Sequence, residues 1–530
     1  MTAFSRPFPR VPAARGRSLK PPDFPFFYRE GGLVGITALH LSFLPWAFGT
    51  MHAWSQLTSL GLAGVGFLFS VWPRTEPGNA VSAFSPAARL ARFPVFWAGL
   101  ALLAYVAIQG LNPAWRFTGD DNAWWIDPVP HLSWLPSGVE APFLRSSPWR
   151  ALTVYGSLWL LVCSVWVGFS RRRSYQILFT VISLNAFFLS LLGLLQKLSL
   201  TDKIFWHYAP SNPAFIASFI YPNHGGAYFN LALAVTAGLS WWHYQRACRE
   251  REKPGLAAVF IFFGVCIALA TVLSSSRMSI ILLLAFSLTA GGLLLLRFRR
   301  REGPIRHRRE ILPAALALAG FCGVGLLSLR TERTWERFAA AAAHPAASAQ
   351  ARLIARRAAG EMLRDRWWFG WGAGCFAYNF PAYARKYPEI YYIGNGHRQF
   401  WEHAHDDFLE FPVELGMAGL LPLLIMLGWY GRRLGRGSFG REPAALFIVL
   451  GCGLTTLHAA VDFVFQNPAV LLTWGVLLVG AMRWTEFHSS GGRGRFRPGT
   501  PPNRDAGGDF RDAALSGPIL PQGNEERSGG

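Results

Sequence analysis

The sequence predicts an all-α polytopic membrane protein of about twelve transmembrane helices with one large external loop. Three observations carry that prediction: a composition 52% hydrophobic and only 15% charged, apolar runs that recur at bilayer-spanning length, and a net charge of +21 concentrated between those runs. About 20 apolar residues cross roughly 30 Å of hydrocarbon as a helix. Lys and Arg placed between such runs act as topology signals, so the excess of positive charge implies no nucleic-acid partner. Six cysteines without CxxC or paired spacing indicate neither a disulfide frame nor a zinc site.

Residues 1–30 carry six basic residues among prolines and lack the apolar core of a cleavable signal peptide, so they read as a disordered inner tail. Residues 31–329 then hold nine expected spans, near 31–50, 55–72, 93–111, 150–169, 175–196, 214–242, a hairpin over 256–296, and 311–329. The hairpin follows from length: one helix over Leu256 to Leu296 would measure about 60 Å, twice the membrane core. Its only polar break is Ser274-Ser275-Ser276-Arg277. Segment 112–149 offers Asp120, Asp121, Asp127 and Glu140 among Trp and Pro, as an external loop at the aromatic interface would. The Arg-rich segments at 171–173, 246–253, 297–309 and 432–441 all fall inside on this count. A large external loop occupies 330–410, three more spans lie within 411–482, and residues 483–530 form a Gly, Pro and Arg-rich tail that reads as disordered and internal.

The chemistry concentrates in the large loop. His403-Ala404-His405-Asp406-Asp407 leads into Glu410 and Glu414, placing imidazoles and carboxylates where a polar loop gives way to an apolar helix. If that helix begins after His405, Asp407, Glu410 and Glu414 share a face, free to orient the imidazole or to bind arginines, and Pro412 should kink it. Upstream, 346–364 has helical composition with Arg352 and Arg356 at i, i+4 on one face. Paired guanidinium forks suit phosphate oxygens, although a solvated basic face accounts equally for Arg356 and Arg357. Arg277 interrupts an apolar hairpin at a cost of about 3 kcal/mol at mid-membrane, which makes it a functional candidate or an interfacial, snorkelling residue. The glycines of Trp368-Phe369-Gly370-Trp371-Gly372-Ala373-Gly374-Cys375-Phe376 lack a surrounding strand-turn-helix unit and read as a tight turn, not a nucleotide loop.

Taken in order, Tyr221-Pro222-Asn223-His224, Ser274 to Arg277, Arg352, Trp368 to Phe376, and His405-Asp406-Asp407-Phe408-Leu409 followed by Glu414-Leu415-Gly416 resemble the O-antigen ligase and O-antigen polymerase superfamily. The resemblance covers about 215–480; the first third matches only as membrane spans. It implies a bacterial inner-membrane glycosyltransferase of inverting type, with both termini cytoplasmic and the site facing the periplasm. The glycan would pass from an undecaprenyl pyrophosphate donor to an acceptor hydroxyl, on lipid A core or a similar glycan, with membrane lipid as the other partner. Carried over to this chain, Arg277 and Arg352 would hold the pyrophosphate, with Arg356, Asn223 and His224 as further substrate-binding candidates. His405 would act on the acceptor, supported by Asp406, Asp407 and Glu414. Two departures stand out: Asp406 where the family usually has Asn, and Trp368 where Pro is common.

The residues support the same chemistry independently. A lipid pyrophosphate is already a good leaving group, so the barrier lies in charge at phosphate and in positioning the acceptor, which arginines and an imidazole answer. An unperturbed histidine titrates near 6.5 and can accept a hydroxyl proton at neutral pH. No cofactor is called for. The rival at the same loop is a metal held by His403, His405, Asp406 and Asp407, with His397. From another class, a transporter or flippase for the same lipid would place its polar residues at the midplane instead of at one face. A ligase, a polymerase and a protein O-oligosaccharyltransferase share donor and site. The moderate loop and the lack of an added soluble domain favour the ligase.

Overall fold

The computed structural model describes residues 28–72, 86–120, 123–212, 214–300, 345–393, 397–436 and 442–493. The expected span at 311–329, both tails for the most part, and 330–344 of the large loop lie outside the described residues. The described chain is mostly helical: α1 (Tyr28–Trp46), α2 (Ala53–Val71), α3 (Pro86–Ala91), α4 (Pro94–Leu111), α5 (Pro148–Gly168), α6 (Arg172–Leu198), α7 (Pro222–Glu250), α8 (Gly255–Leu273), α9 (Arg277–Arg300), α10 (Pro345–Asp365), α11 (Phe376–Ala384), α12 (Pro388–Tyr391), α13 (Asp407–Gly435), α14 (Pro443–Ala459) and α15 (Pro468–Arg493). Among the described residues, eight helices are long and apolar enough to cross a membrane. The molecule is therefore built as a polytopic membrane protein.

α7 and α15 run through the middle of the bundle. Tyr228, Phe229, Leu231, Ala232 and Val235 of α7 and Val470, Leu472, Val476 and Val479 of α15 are almost fully buried. In a bundle surrounded by apolar tails, close backbone approach and dispersion do much of the holding. Gly451 of α14 shows this: a Cβ there would lie 2.3 Å from the Ala234 Cβ. Some polar groups inside the bundle pair across helices, as where His40 Nε2 of α1 meets Ser59 Oγ of α2 at 2.7 Å.

Three features depart from the sequence expectation. First, the molecule is not purely α. Segment 112–149 contains β1 (Pro113–Gly119), β2 (Trp124–Pro128) and β3 (Gly138–Glu140) in the order β2-β1-β3, antiparallel and then parallel, and a two-stranded pair joins Tyr392–Ile393 to His397–Arg398. Alternating Trp, Phe and Ile along β1 and β2 stack on one another, as Phe117 on Trp124 does, and pack against Tyr378 of α11. Second, the helix expected from 214 starts only at Pro222, whose fixed φ and missing N–H suit a first helical position. Third, α13 breaks at Gly416 (φ 63°, ψ 178°) and not at Pro412.

That break is an interlocked backbone crossing. Trp371 N and Gly372 N donate to the Val413 and Glu414 carbonyls, while Met417 N and Ala418 N donate to those of Trp367 and Trp368, all at 2.9 to 3.0 Å. The glycine-rich turn therefore supplies the partners that a broken helix would otherwise lack. Gln109 of α4 clamps the crossing, donating to Phe369 O and Glu414 O and accepting from Ala373 N. The crossing fixes the stem of α13 against the loop, and hence the place from which His405 is presented.

Candidate functional site

The site is assembled from four pieces: the loop 399–406, the turn 460–467 between α14 and α15, the start of α7, and the basic face of α10. His405 precedes α13 in the left-handed backbone region (φ 53°), and Asp406 caps that helix by accepting from Phe408 N at 3.0 Å. The imidazole of His405 points to the turn, where its Nδ1 lies 3.3 Å from Asp462 Oδ1. Asp462 is buried and held on all sides: Phe463 N donates to Oδ1 at 2.9 Å and Asn223 Nδ2 donates to Oδ2. Burial alone would raise this carboxyl, but the hydrogen bond and charge of His405 override it and bring it down to about 2.

From sequence alone Asp462 falls within an expected apolar span and is not among the candidate site residues. The signal was present, for it is the sole acidic residue between Glu442 and Glu486. The rule that singled out Arg277, an ionisable group interrupting a long apolar stretch, applies to it equally.

The carboxylates of the motif do not act as one face. Glu410 is fully buried and serves the other histidine, accepting from His403 Nδ1 at 2.7 Å, from Ala404 N at 2.6 Å and from Gln466 Nε2 at 3.1 Å. Burial by itself would lower the His403 imidazole; the Glu410 carboxylate reverses this and lifts it to about 9. Asp407 Oδ2 accepts from Phe465 N at 2.8 Å and Glu414 Oε1 from Phe376 N at 3.2 Å, so both brace backbone. Asp406 Oδ2 forms an ion pair with Arg356 Nε at 3.0 Å. Burial raises the Asp406 carboxyl, with Arg356 acting in the opposite direction.

The side chains of the proposed metal set thus diverge toward Glu410, Asp462, Arg356 and Phe465. Among the described residues, no group of three or more His, Cys, Asp or Glu side chains is arranged to hold a metal ion.

The arginine pair of α10 does share a face. Arg352 Nη1 donates to Val461 O at 3.4 Å, and Arg356 Nη2 donates to Ala460 O. Both therefore reach carbonyls just past the C-terminal end of α14, immediately before Asp462, where a helix dipole favours cations. Arg277 opens α9 and is exposed. The serine turn and the first turn of α9 pack on α7 at Gly226, where a Cβ would sit 3.1 Å from Ser274 Oγ and 2.2 Å from Ser279 Oγ, and Ser276 and Ser279 bond each other at 2.8 Å. Arg277 thus lies at the same end of α7 as Asn223 and His224. Asn223 orients Asp462, and His224 is buried with Nε2 on Phe463 O at 3.2 Å.

A cavity of about 370 Å³ opens beside these groups, lined among others by Tyr221, His224, Trp401, His403, His405 and Phe463. Phe463 is its hub: His403 stacks on the ring at 4.5 Å and 22°, while His405 meets it edge-on at 4.8 Å. With Nδ1 of His405 committed to Asp462, Nε2 is the nitrogen that can exchange a proton with something in the cavity.

Fold and site define a polytopic helical membrane protein with a histidine–carboxylate pair beside a cavity and a basic helix above it. Residues 262–424 match the family model described as O-antigen ligase, Wzy_C, so the chain carries a domain of the O-antigen ligase superfamily and the resemblance drawn from the sequence is borne out there. The family is one of glycosyltransferases of ligase type acting in a membrane setting. The matched stretch holds Arg277, Arg352, Arg356 and His405, whereas Asn223, His224 and Asp462 lie outside it. No curated protein matches the chain at a significant level.

Proposed function

We propose that this protein is an O-antigen ligase-like glycosyltransferase of the bacterial inner membrane. It moves a glycan from an undecaprenyl pyrophosphate donor to an acceptor hydroxyl, on lipid A core or a similar glycan, at the periplasmic face. The observation that carries this reading is the Asp462–His405 pair at the wall of the cavity. A carboxylate bound to Nδ1 fixes the ring and its tautomer and stabilises the imidazolium that forms when Nε2 takes the acceptor proton. The acceptor oxygen then attacks the anomeric carbon from the face opposite the phosphate, the bond to the lipid pyrophosphate breaks, and that group leaves with the electron pair. Arg277 and Arg352 are the guanidinium groups assigned to it; Arg356 is drawn toward Asp406 and plays a smaller part. Both tails lie in the cytoplasm on this reading, and the large loop with its preceding spans supplies the outer half of the site.

The test is glycan transfer by the purified protein in lipid vesicles, given an undecaprenyl pyrophosphate-linked glycan and candidate acceptors. Transfer to lipid A core that His405→Ala abolishes supports the ligase. Growth of the glycan on its own carrier would make it a polymerase, and transfer to protein hydroxyls an oligosaccharyltransferase. Vesicle-to-vesicle lipid movement without transfer would sink the reading.

A further inference from the structure

We propose that His403 is a second working imidazole of the site, a cationic hydrogen-bond donor whose Nε2–H meets a phosphate oxygen of the departing pyrophosphate while His405 takes the acceptor proton. The inference rests on the transferase reading above. Its grounds are geometric. His403 lines the same cavity as His405, and the two rings are held on one aromatic hub, Phe463. Its Nδ1 is committed to the fully buried Glu410 at 2.7 Å, so Nε2 is the atom left for the cavity. Among the described residues lining that cavity there is no Arg or Lys, and the remaining charged side chain is Glu402. Among these lining residues an anionic oxygen therefore meets no cation except an imidazolium, and the contacts assigned to Arg277 and Arg352 lie outside this lining.

Charge around the ring favours that form. Carboxylates of Glu410 at the start of α13 and Glu402 in the loop stand beside it, with Asp407 and Glu414 of α13 and His224 of α7 also facing it. The ring is lifted to about 9, so it stays charged at neutral pH. A donor fixed in place before reaction stabilises developing charge without reorganisation. No proton leaves His403 in the step. The acceptor O–H proton passes to His405, the C–O bond to phosphate breaks, and the leaving oxygen gains a charge-assisted hydrogen bond. The two histidines of one tripeptide then divide the work, Asp462 preparing the base and Glu410 the donor.

The experiment measures inorganic pyrophosphate binding to the full-length protein in nanodiscs. His403→Gln should weaken binding about tenfold at pH 8. Glu410→Gln should also weaken it at pH 8, because the ring loses the carboxylate that keeps it protonated. Lowering the pH should bring the affinity of Glu410→Gln back toward wild type as the ring regains its proton, whereas His403→Gln should stay weak at every pH, a split that mere structural damage would not produce. Unchanged affinity in His403→Gln, or no recovery in Glu410→Gln, overturns the proposal. A wild type that binds no pyrophosphate overturns it too. If His403→Gln loses pyrophosphate while the wild type transfers no glycan to any acceptor, the anion donor stands and the transferase reading falls.

Discussion

His405 Nδ1 lies 3.3 Å from Asp462 Oδ1, joining the loop ahead of α13 to the turn between α14 and α15. The pair converts a lone histidine in a polar loop into an oriented one, and Asn223 donates to the far oxygen of the same carboxylate. Asp462→Asn preserves size and removes the charge that stabilises the imidazolium. We expect kcat for glycan transfer to fall about 10²-fold with KM little changed, within the range that general-base catalysis contributes. A variant in which KM rises and kcat holds would mean that Asp462 binds substrate and does not prepare the base.

The His403–Glu410 pair gives stability a signature in pH. His403 is raised in the folded protein from an ordinary 6.5 to about 9. Its contribution is therefore complete below pH 6.5 and fades as pH climbs through 9, a loss on the order of 3 kcal/mol. Asp462 has the opposite sign: depressed to about 2, it stabilises above an ordinary carboxylate pKa and its contribution is lost as pH falls toward 2. Thermal unfolding in detergent should show a decline between pH 6.5 and 9 that His403→Gln reduces. An unaltered alkaline limb in that variant would count against the pair.

Asp406 occupies a position where the family usually has Asn, and its structural duties show why either residue serves. As an N-cap it accepts from Phe408 N, which Asn does equally well. What Asn lacks is the ion pair with Arg356, a partly exposed contact worth about 0–1 kcal/mol. Asp406→Asn should fold normally and keep transfer within about threefold of wild type, the freed Arg356 lowering KM for the donor if it moves at all. Arg352→Ala, by contrast, should raise donor KM about tenfold or more, as loss of a charge-assisted phosphate contact does. Equal effects of Arg352→Ala and Arg356→Ala on KM would refute this ranking.

The bundle and much of the site were readable because each rests on local rules. Apolar length marks helices such as α8 and α9, the serine break at Ser274 to Ser276 marks their turn, and i, i+4 spacing puts Arg352 and Arg356 on one face. The rest depends on which distant segments meet. That His403 belongs to Glu410 and His405 to Asp462 is set by the fold of a loop over a turn, and no spacing reports it. The small sheet β1 to β3 escaped because its aromatic alternation sits in a Pro-rich segment that reads as an interfacial loop. The break in α13 was assigned to Pro412, the residue with a missing donor. The glycine-rich turn needs two backbone strands to cross, and that demand falls on Gly416.

Gly416 is consequently the position at which one methyl group should cost most. Its φ of 63° and ψ of 178° lie in a region open essentially to glycine alone, and a Cβ there would stand 2.3 Å from Trp368 O and 2.5 Å from Gly370 N. Neither neighbour is a side chain that can swing away, and Gly370 is boxed in reciprocally, with its own Cβ position 2.4 Å from Glu414 O. Gly416→Ala should therefore destabilise by on the order of 3 kcal/mol and part the four backbone hydrogen bonds of the crossing. Because those bonds fix the stem of α13, the variant should lose glycan transfer even where folded protein is recovered, while Gly428→Ala, whose Cβ meets nothing within 4 Å, should melt and react like the wild type. Melting curves and transfer rates of the two variants side by side decide the matter: a Gly416→Ala protein as stable and active as Gly428→Ala would mean that the crossing does not hold His405 in place.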